Sequence, residues 1–348
     1  MTYPRRAIPW RIIVFFLLIL CSSCKNFPTK EERFFILGNE QMKYGNYTEA
    51  IRYYHECLRL DTSFAEAWNN LGNANYKLGR YDEADRSFSK AILNRPGAGE
   101  FYLNRSNARY AAGEYRKSLA DLREASRFLP DTALIHFLEG TVYFELSEYD
   151  SALSCFERAL SLDSMNAETW INMASAWLYK EDAVKAKFII RKAIEIDPGN
   201  PGAMNVMALV LAEMDSLEKS LEWIDRAIAL NPGNAYYLNN RGYIYLGLDS
   251  LDKAEKDINA GIEINPANGW AYRNKGIYYL KKDEPGNALR LLNQAVKLNK
   301  NIKHLYYYLG MAYRDLNRMQ DACNSFRLSM ESGEKKGKTA YHEFCANR

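Results

Sequence analysis

A small residue recurs every 34 positions along this chain, and that spacing limits its fold more than any other feature. The column reads Gly38, Gly72, Ser106, Gly140, Ala174, Ala208, Gly242, Gly276 and Gly310. A second small column holds Ala50, Ala84, Ser118, Ala152, Ala186, Ser220, Ala254, Ala288 and Ala322. A third holds Cys57, Ala91, Ala125, Ala159, Ala193, Ala227, Gly261, Ala295 and Ser329. Two helices approach closely only where side chains vanish, so a small residue at a fixed place on each helix marks a repeated crossing. Large residues fill the space between, at Tyr54, Phe88, Leu122, Phe156, Ile190, Ile224, Ile258, Leu292 and Phe326. The apolar spacing is helical throughout and no strand pattern is present. The chain is therefore a row of helix pairs, each unit touching its neighbours, rather than two or three globular domains.

The stretch Ala65–Ala98 shows the unit most clearly, with Trp68, Leu71, Gly72, Tyr76, Ala84, Phe88, Ala91 and Pro96 in register. This pattern resembles the tetratricopeptide repeat. The resemblance covers nine gapless units: 31–64, 65–98, 99–132, 133–166, 167–200, 201–234, 235–268, 269–302 and 303–336. It implies an all-α fold, a right-handed superhelical solenoid of nine repeats closed by a C-terminal capping helix over residues 337–348. Pro96, Pro130, Pro198, Pro232 and Pro266 fall just past a second helix, and Pro285 opens one, where its missing N–H does no harm.

The first residues carry a different signal. Arg5, Arg6 and Arg11 flank the apolar run Ile12–Leu20, which is too short to span a bilayer core of about 30 Å. This is the pattern of a secretory signal over residues 1–23. Ser22-Ser23-Cys24 resembles a lipobox, although Cys21 stands where that motif carries an aliphatic residue. The resemblance implies lipidation of Cys24; an ordinary cleaved signal and an uncleaved anchor are the other readings. Residues 24–30 then form a tether of at most about 25 Å, which keeps the first repeat near the membrane surface. Losing Arg5, Arg6 and Arg11 takes the 46 basic side chains to 43, equal to the 43 acidic ones. No basic stripe survives, so nucleic-acid binding is not expected.

Two repeats break the core pattern in the same way. Arg105 and Arg241 replace the residue equivalent to Leu71, and sixteen positions later those repeats carry Asp121 and Asp257. A buried charge is tolerated only when paired, so an Arg–Asp pair is expected within each. After Lys336 the pattern stops, since Phe344 occupies the small column and blocks a further unit. Cys323 and Cys345 flank this end, as in similar repeat lipoproteins of the Bacteroidota type, and the resemblance implies a disulfide; two free thiols are the alternative. Cys57 and Cys155 sit at packing positions and read as small apolar residues.

No catalytic or metal-binding constellation appears. His55, His136, His304 and His342 are scattered, and no paired-cysteine or HExxH spacing occurs. No cofactor, metal or enzymatic activity is expected. Binding remains. First helices line the inner wall of such a solenoid, and Asn39, Asn70, Asn73, Asn104, Asn107, Asn172, Asn240 and Asn274 form an amide ladder along it. Each amide offers a donor and an acceptor, suited to the backbone of an extended peptide. Glu32, Glu66 and Glu100 flank the ladder in the first repeats; Tyr236, Tyr243, Trp270, Arg273 and Tyr307 colour the last three. Aromatic and Arg side chains are common interface anchors, so Tyr243, Trp270, Arg273 and Tyr307 join the candidate groove.

Five Asp-Ser/Thr pairs recur at the turns, with Thr132, Ser151, Ser164, Ser216 and Ser250 as hydroxyl bearers. They resemble the O-glycosylation signal of exported Bacteroidota proteins, and helix capping is the plainer reading. The expectation is a scaffold lipid-anchored in the cell envelope, at the outer membrane facing the periplasm, which binds peptide or helical segments of other proteins and assembles an envelope complex. Self-association into a homo-oligomeric structural solenoid is the alternative, and an accessory arm for a cell-wall enzyme comes third.

Overall fold

The computed structural model describes residues 28–346; Cys24 and the signal-like segment lie outside them. The described chain forms nineteen helices, which fall into two units divided at Leu129.

The N-terminal unit contains α1 (Lys30–Lys43), α2 (Tyr47–Leu60), α3 (Ala65–Lys77), α4 (Tyr81–Asn94), α5 (Gly99–Ala111) and α6 (Tyr115–Phe128). They pair as α1/α2, α3/α4 and α5/α6 around the small columns. A Cβ on Gly72 would lie 2.6 Å from Cε1 of Phe88, so the large residue of the second helix fills the space the first leaves empty. Thr29 starts α1 with a capping box: its hydroxyl accepts from the Glu32 N–H while the Glu32 carboxylate accepts from the Thr29 N–H.

The C-terminal unit continues the pairing: α7 (Ala133–Glu145) with α8 (Tyr149–Leu162), α9 (Ala167–Tyr179) with α10 (Ala183–Ile196), α11 (Pro201–Glu213) with α12 (Leu217–Leu230), α13 (Ala235–Gly247) with α14 (Leu251–Ile264), α15 (Gly269–Lys281) with α16 (Pro285–Leu298), and α17 (Leu305–Asp315) with α18 (Met319–Glu331). The last helix, α19 (Lys335–Phe344), covers the open end: Phe344 stacks on Phe326 at 5.9 Å, and Cys323 is joined to Cys345. The two Arg–Asp pairs are present and bidentate. Arg105 holds Asp121 at 3.0 and 2.7 Å, and Arg241 holds Asp257 at 2.6 and 3.0 Å. Arg109 reaches Asp121 and Asp85 as well, and Arg241 reaches Asp225, so each pair belongs to a wider network.

Every turn inside a repeat has one left-handed residue, at Gly45, Gly79, Gly113, Ser147, Glu181, Asp215, Asp249, Asp283 and Asn317. The next residue's N–H closes the turn on the carbonyl five residues back, as from Arg80 to Asn75 at 2.9 Å and from Glu148 to Tyr143 at 2.9 Å.

Two local expectations change. Ser151 lies inside α8, while Thr132, Ser216 and Ser250 stand at helix starts without donating or accepting a cap bond, so capping does not explain those hydroxyls. Helix α17 begins at Leu305 rather than 303. Lys303 occupies a column that is small from Ala65 to Gly269, Ile302 replaces the capping Asn268, and His304 turns left-handed at φ 62°.

Candidate functional site: two inner walls

In the N-terminal unit the first helices α1, α3 and α5 carry the asparagines, and neighbouring repeats are tied through them. Asn70 donates to Asn39 at 2.8 Å, and the Tyr54 hydroxyl donates to the same Asn39 oxygen. Asn104 donates to Asn69 at 2.9 Å, and Asn69 donates to Asn70 at 3.2 Å. Much of the ladder is thus spent on joining repeats. Asn73 and Asn107 differ: both are part-exposed and their amides make no side-chain hydrogen bond among the described residues. They stand on the same column of adjacent repeats with donor and acceptor free.

The C-terminal wall is arranged otherwise. Asn172 is part-buried, Asn240 donates to Asn205 at 2.8 Å, and Asn274 donates to Asn239 at 2.9 Å. Arg273 donates twice to Asn274 Oδ1 and lies between Trp270 and Tyr243, 4.7 and 5.0 Å from their ring centroids. Its remaining arm donates to the Lys303 carbonyl at 2.8 Å. Arg273 is 5% exposed and Asn274 0%, so neither is presented to a partner. Tyr307 packs on Phe326 in the terminal core. The expectation that Arg273 and Asn274 belong to a C-terminal peptide groove is corrected: these buried side chains are used within the unit.

The wall is filled by its own far side. Tyr179, at the end of α9, meets Trp270 edge-to-face at 6.0 Å and also packs on Phe144 and Tyr149. Lys303 Nζ donates to the Leu178 carbonyl at 3.0 Å and faces Glu213 at 3.5 Å. The Lys335 N–H donates to Glu181 Oε2 at 3.1 Å. His304 is buried between Glu334 at 3.7 Å and Glu181 at 3.9 Å, with neither ring nitrogen hydrogen-bonded. Its backbone N–H and the Ser329 hydroxyl both donate to Glu334.

Burial pushes the Tyr243 and Tyr308 phenols up to about 12 and lowers both the Lys303 ammonium and the His304 imidazole. For Glu213, burial is outweighed by Lys303 and His304; for Glu334, by the hydrogen bonds from His304 and Ser329. Both carboxyls stay below their ordinary range. Sequence reasoning missed this closure. Its one signal was the ninth repeat's Lys-Asn-Ile-Lys-His in place of the usual Pro and Asn start.

Helix pairs repeating on a fixed register, with side-chain surface offered by the first helices, define a helical-repeat scaffold. Tetratricopeptide-repeat family models match residues 38–79, 65–97, 133–166, 167–200, 235–268 and 273–328. The chain belongs to the tetratricopeptide-repeat proteins, whose scaffolds mediate protein–protein interaction and are generally non-enzymatic. No relative is found among proteins of curated function.

Among solved structures it is similar to a tetratricopeptide repeat protein from Parabacteroides merdae, with TM-score 0.59, 16% identity, 71% of this chain and 98% of that one covered. It is also similar to the APC/C hetero-tetramer Cut9–Hcn1, at TM-score 0.57 and 13% identity, over 86% of this chain and 59% of that one. Human IFIT1, solved as a dimer with m7Gppp-AAAA, matches at TM-score 0.56 and 17% identity, over 79% and 70%. At these identities the likeness is one of fold.

Proposed function

We infer that this chain is an envelope-anchored adaptor that captures an extended segment of a partner protein on the inner wall of its N-terminal unit. The observation that carries this reading is the pair Asn73 and Asn107, whose free, part-exposed amides repeat on one column beside Glu66 and Glu100. A peptide backbone bonds to such amides without its side chains being read. The amide bonds among Asn39, Asn69, Asn70 and Asn104 hold the neighbouring side chains in place, which lowers the ordering cost of binding.

The anchor is a lipid on Cys24, and the membrane is the outer one with the repeats facing the periplasm. The reading rests on the basic flank, the short apolar run and Ser22-Ser23-Cys24. The role that follows is assembly of an envelope complex, with Thr132, Ser151, Ser164, Ser216 and Ser250 as O-glycosylation acceptors. Of these, Ser164 is exposed in an inter-helix turn and the most accessible.

The test is a photo-crosslinker placed at the part-exposed Glu66, beside that pair, in cells, followed by purification from the envelope. A distinct partner that is lost in Asn73→Ala/Asn107→Ala is the expected result. Recovery of the bait alone, or a partner indifferent to both substitutions, rejects the groove. Intact mass of the mature protein decides acylation and glycosylation together.

A further inference from the structure

We propose that the outer face of α10 docks a single acidic amphipathic helix of another protein. Val184 and Phe188 occupy two columns on the second helix of the fifth repeat. The same two columns read Thr48 and Arg52, Asp82 and Arg86, or Asp252 and Lys256 elsewhere. Across the other eight repeats they hold no residue more apolar than Ala120. Here they are Val and Phe, 71% and 66% exposed, one turn apart on the same face. An exposed phenylalanine beside an exposed valine costs solubility and adds nothing to the core, which Ala186, Ile190 and Ala193 already fill.

Charge says what covers it. Lys187 and Arg191 border this apolar pair on one side, three residues after Val184 and Phe188 respectively, and neither has an ion-pair partner among the described residues. The other two cations of α10 are engaged: Lys185 lies 3.5 Å from Asp182 and over the Trp177 ring, and Lys192 lies 2.9 Å from Glu195. The free positive charge is also narrow. On the second helices of the preceding and following repeats the same columns hold Asp150 and Ser154, then Glu218 and Glu222.

An anionic bilayer would meet those acids along with α10 and be repelled by them. A single helix, about 10 Å across, can lie along the one ridge where apolar and basic groups coincide. Its apolar stripe covers Val184 and Phe188, and its carboxylates pair with Lys187 and Arg191. The site is independent of the Asn73–Asn107 wall and stands or falls without it. It also gives the C-terminal unit a docking surface where its inner wall is occupied by itself.

The probe is a fluorescein-labelled amphipathic peptide of leucine and glutamate, about 20 residues long so that it holds a helix alone. A lysine-for-glutamate counterpart and vesicles of anionic phospholipid are run beside it. Fluorescence anisotropy with the full chain should show the glutamate peptide binding at low salt and weakening as salt rises. Val184→Ser/Phe188→Ser should weaken it at least 10-fold. Lys187→Glu/Arg191→Glu should also lose it and bind the lysine peptide instead. All substitutions are on the surface, and circular dichroism confirms the fold of each variant. Asn73→Ala/Asn107→Ala should leave the affinity unchanged. A flat anisotropy curve, affinity indifferent to both pairs of substitutions, or failure of the charge swap overturns the proposal. So does vesicle binding, or self-association seen by sedimentation, that depends on Phe188.

Discussion

The two units solve the same packing problem with different turns and different walls. Between the two helices of a repeat, the left-handed residue is glycine throughout the N-terminal unit, at Gly45, Gly79 and Gly113; in the C-terminal unit it is Ser147, Glu181, Asp215, Asp249, Asp283 and Asn317. The left-handed backbone is free for glycine and costs other residues about 1 kcal/mol or more. The N-terminal wall joins neighbouring repeats through neutral amides and leaves Asn73 and Asn107 free. The C-terminal wall joins repeats three and four apart through charged groups: Glu181 to Lys335 and Lys303 to Leu178 across four, and Lys303 to Glu213 across three. Glu181 shows the link directly, because the left-handed turn residue is itself part of the closure. One unit leaves amides on its first helices unbonded, and the other uses its wall for its own rigidity.

The strongest way to break either unit is to orphan its buried charge. Asp121→Ala leaves Arg105 and Arg109 facing each other without their shared carboxylate, a loss of about 3–5 kcal/mol. Asp257→Ala strips Arg241 of one partner but leaves Asp225, so the loss should fall at the low end of that range. Urea denaturation of the two variants checks the order, and an equal loss would show that Arg109 adds nothing. Reducing the Cys323–Cys345 bond, whose ends are 22 positions apart in sequence, should remove about 3 kcal/mol from the terminal cap. Hydrogen exchange should then place the loss in α18 and α19 and leave the N-terminal helices unaltered.

Breaking the closure itself comes next. Trp270→Ala removes the ring against which Tyr179 and Arg273 pack, and should cost about 2–3 kcal/mol, less than a fully buried tryptophan because Trp270 is part-exposed. The Lys335 amide, which donates across the closure to Glu181, should lose protection first. Unchanged exchange there would mean that the contact is passive.

The register and the chemistry at fixed spacing were legible in the sequence. Small residues such as Gly72 and Ala84 have no other reason to recur, and an Arg105 in a packed column demands a carboxylate within reach. The closure was not legible, because a 34-residue register describes what each repeat does to its neighbour. Lys303 meets Leu178 across 125 residues, a distance set by the summed rotation of four repeats. Arg273 was misread for a related reason: an aromatic–arginine cluster has the same composition whether it waits for a partner or has found its own chain. The Asn ladder was half legible. The columns put asparagine on the first helices, but whether its amide bonds to the next repeat, as at Asn70, or stays free, as at Asn73, depends on side-chain direction.

Acid should separate the two walls more gently. The buried His304 has a lowered folded pKa, so the unfolded chain binds the extra proton first, and its contribution fades as pH falls below the ordinary histidine value of about 6.5. Glu213 and Glu334 are lowered too, so their contributions are present at neutral pH and are lost as pH falls through their folded values. All three act in one direction. Lys303 and Lys336 also face His304 and push its pKa down together with burial, while Glu334 pulls it up; the lowered pKa of Lys303 itself acts only toward alkaline pH. Protection of the Lys335 amide, corrected for intrinsic exchange, should therefore fall between pH 7 and 4, while that of α3 stays level. His304→Gln should flatten the upper part of that profile, and a profile unaltered by it would assign the whole effect to the carboxylates.

The smallest effect exchanges the turns. Asp283 is left-handed, exposed and outside the closure, so glycine there relieves the backbone without removing a contact. Asp283→Gly should stabilise the C-terminal unit by a few tenths of a kcal/mol up to about 1, because the steric relief is partly offset by the greater freedom of glycine in the unfolded chain. The reverse change in the other unit, Gly79→Asp, meets no atom within 4 Å and suffers the backbone penalty alone, so it should destabilise by a similar amount. Thermal melts of both variants test the pair. If Asp283→Gly destabilises instead, the aspartate stiffens its turn by more than its strain, and the non-glycine turns belong to the same rigidity as the closed wall.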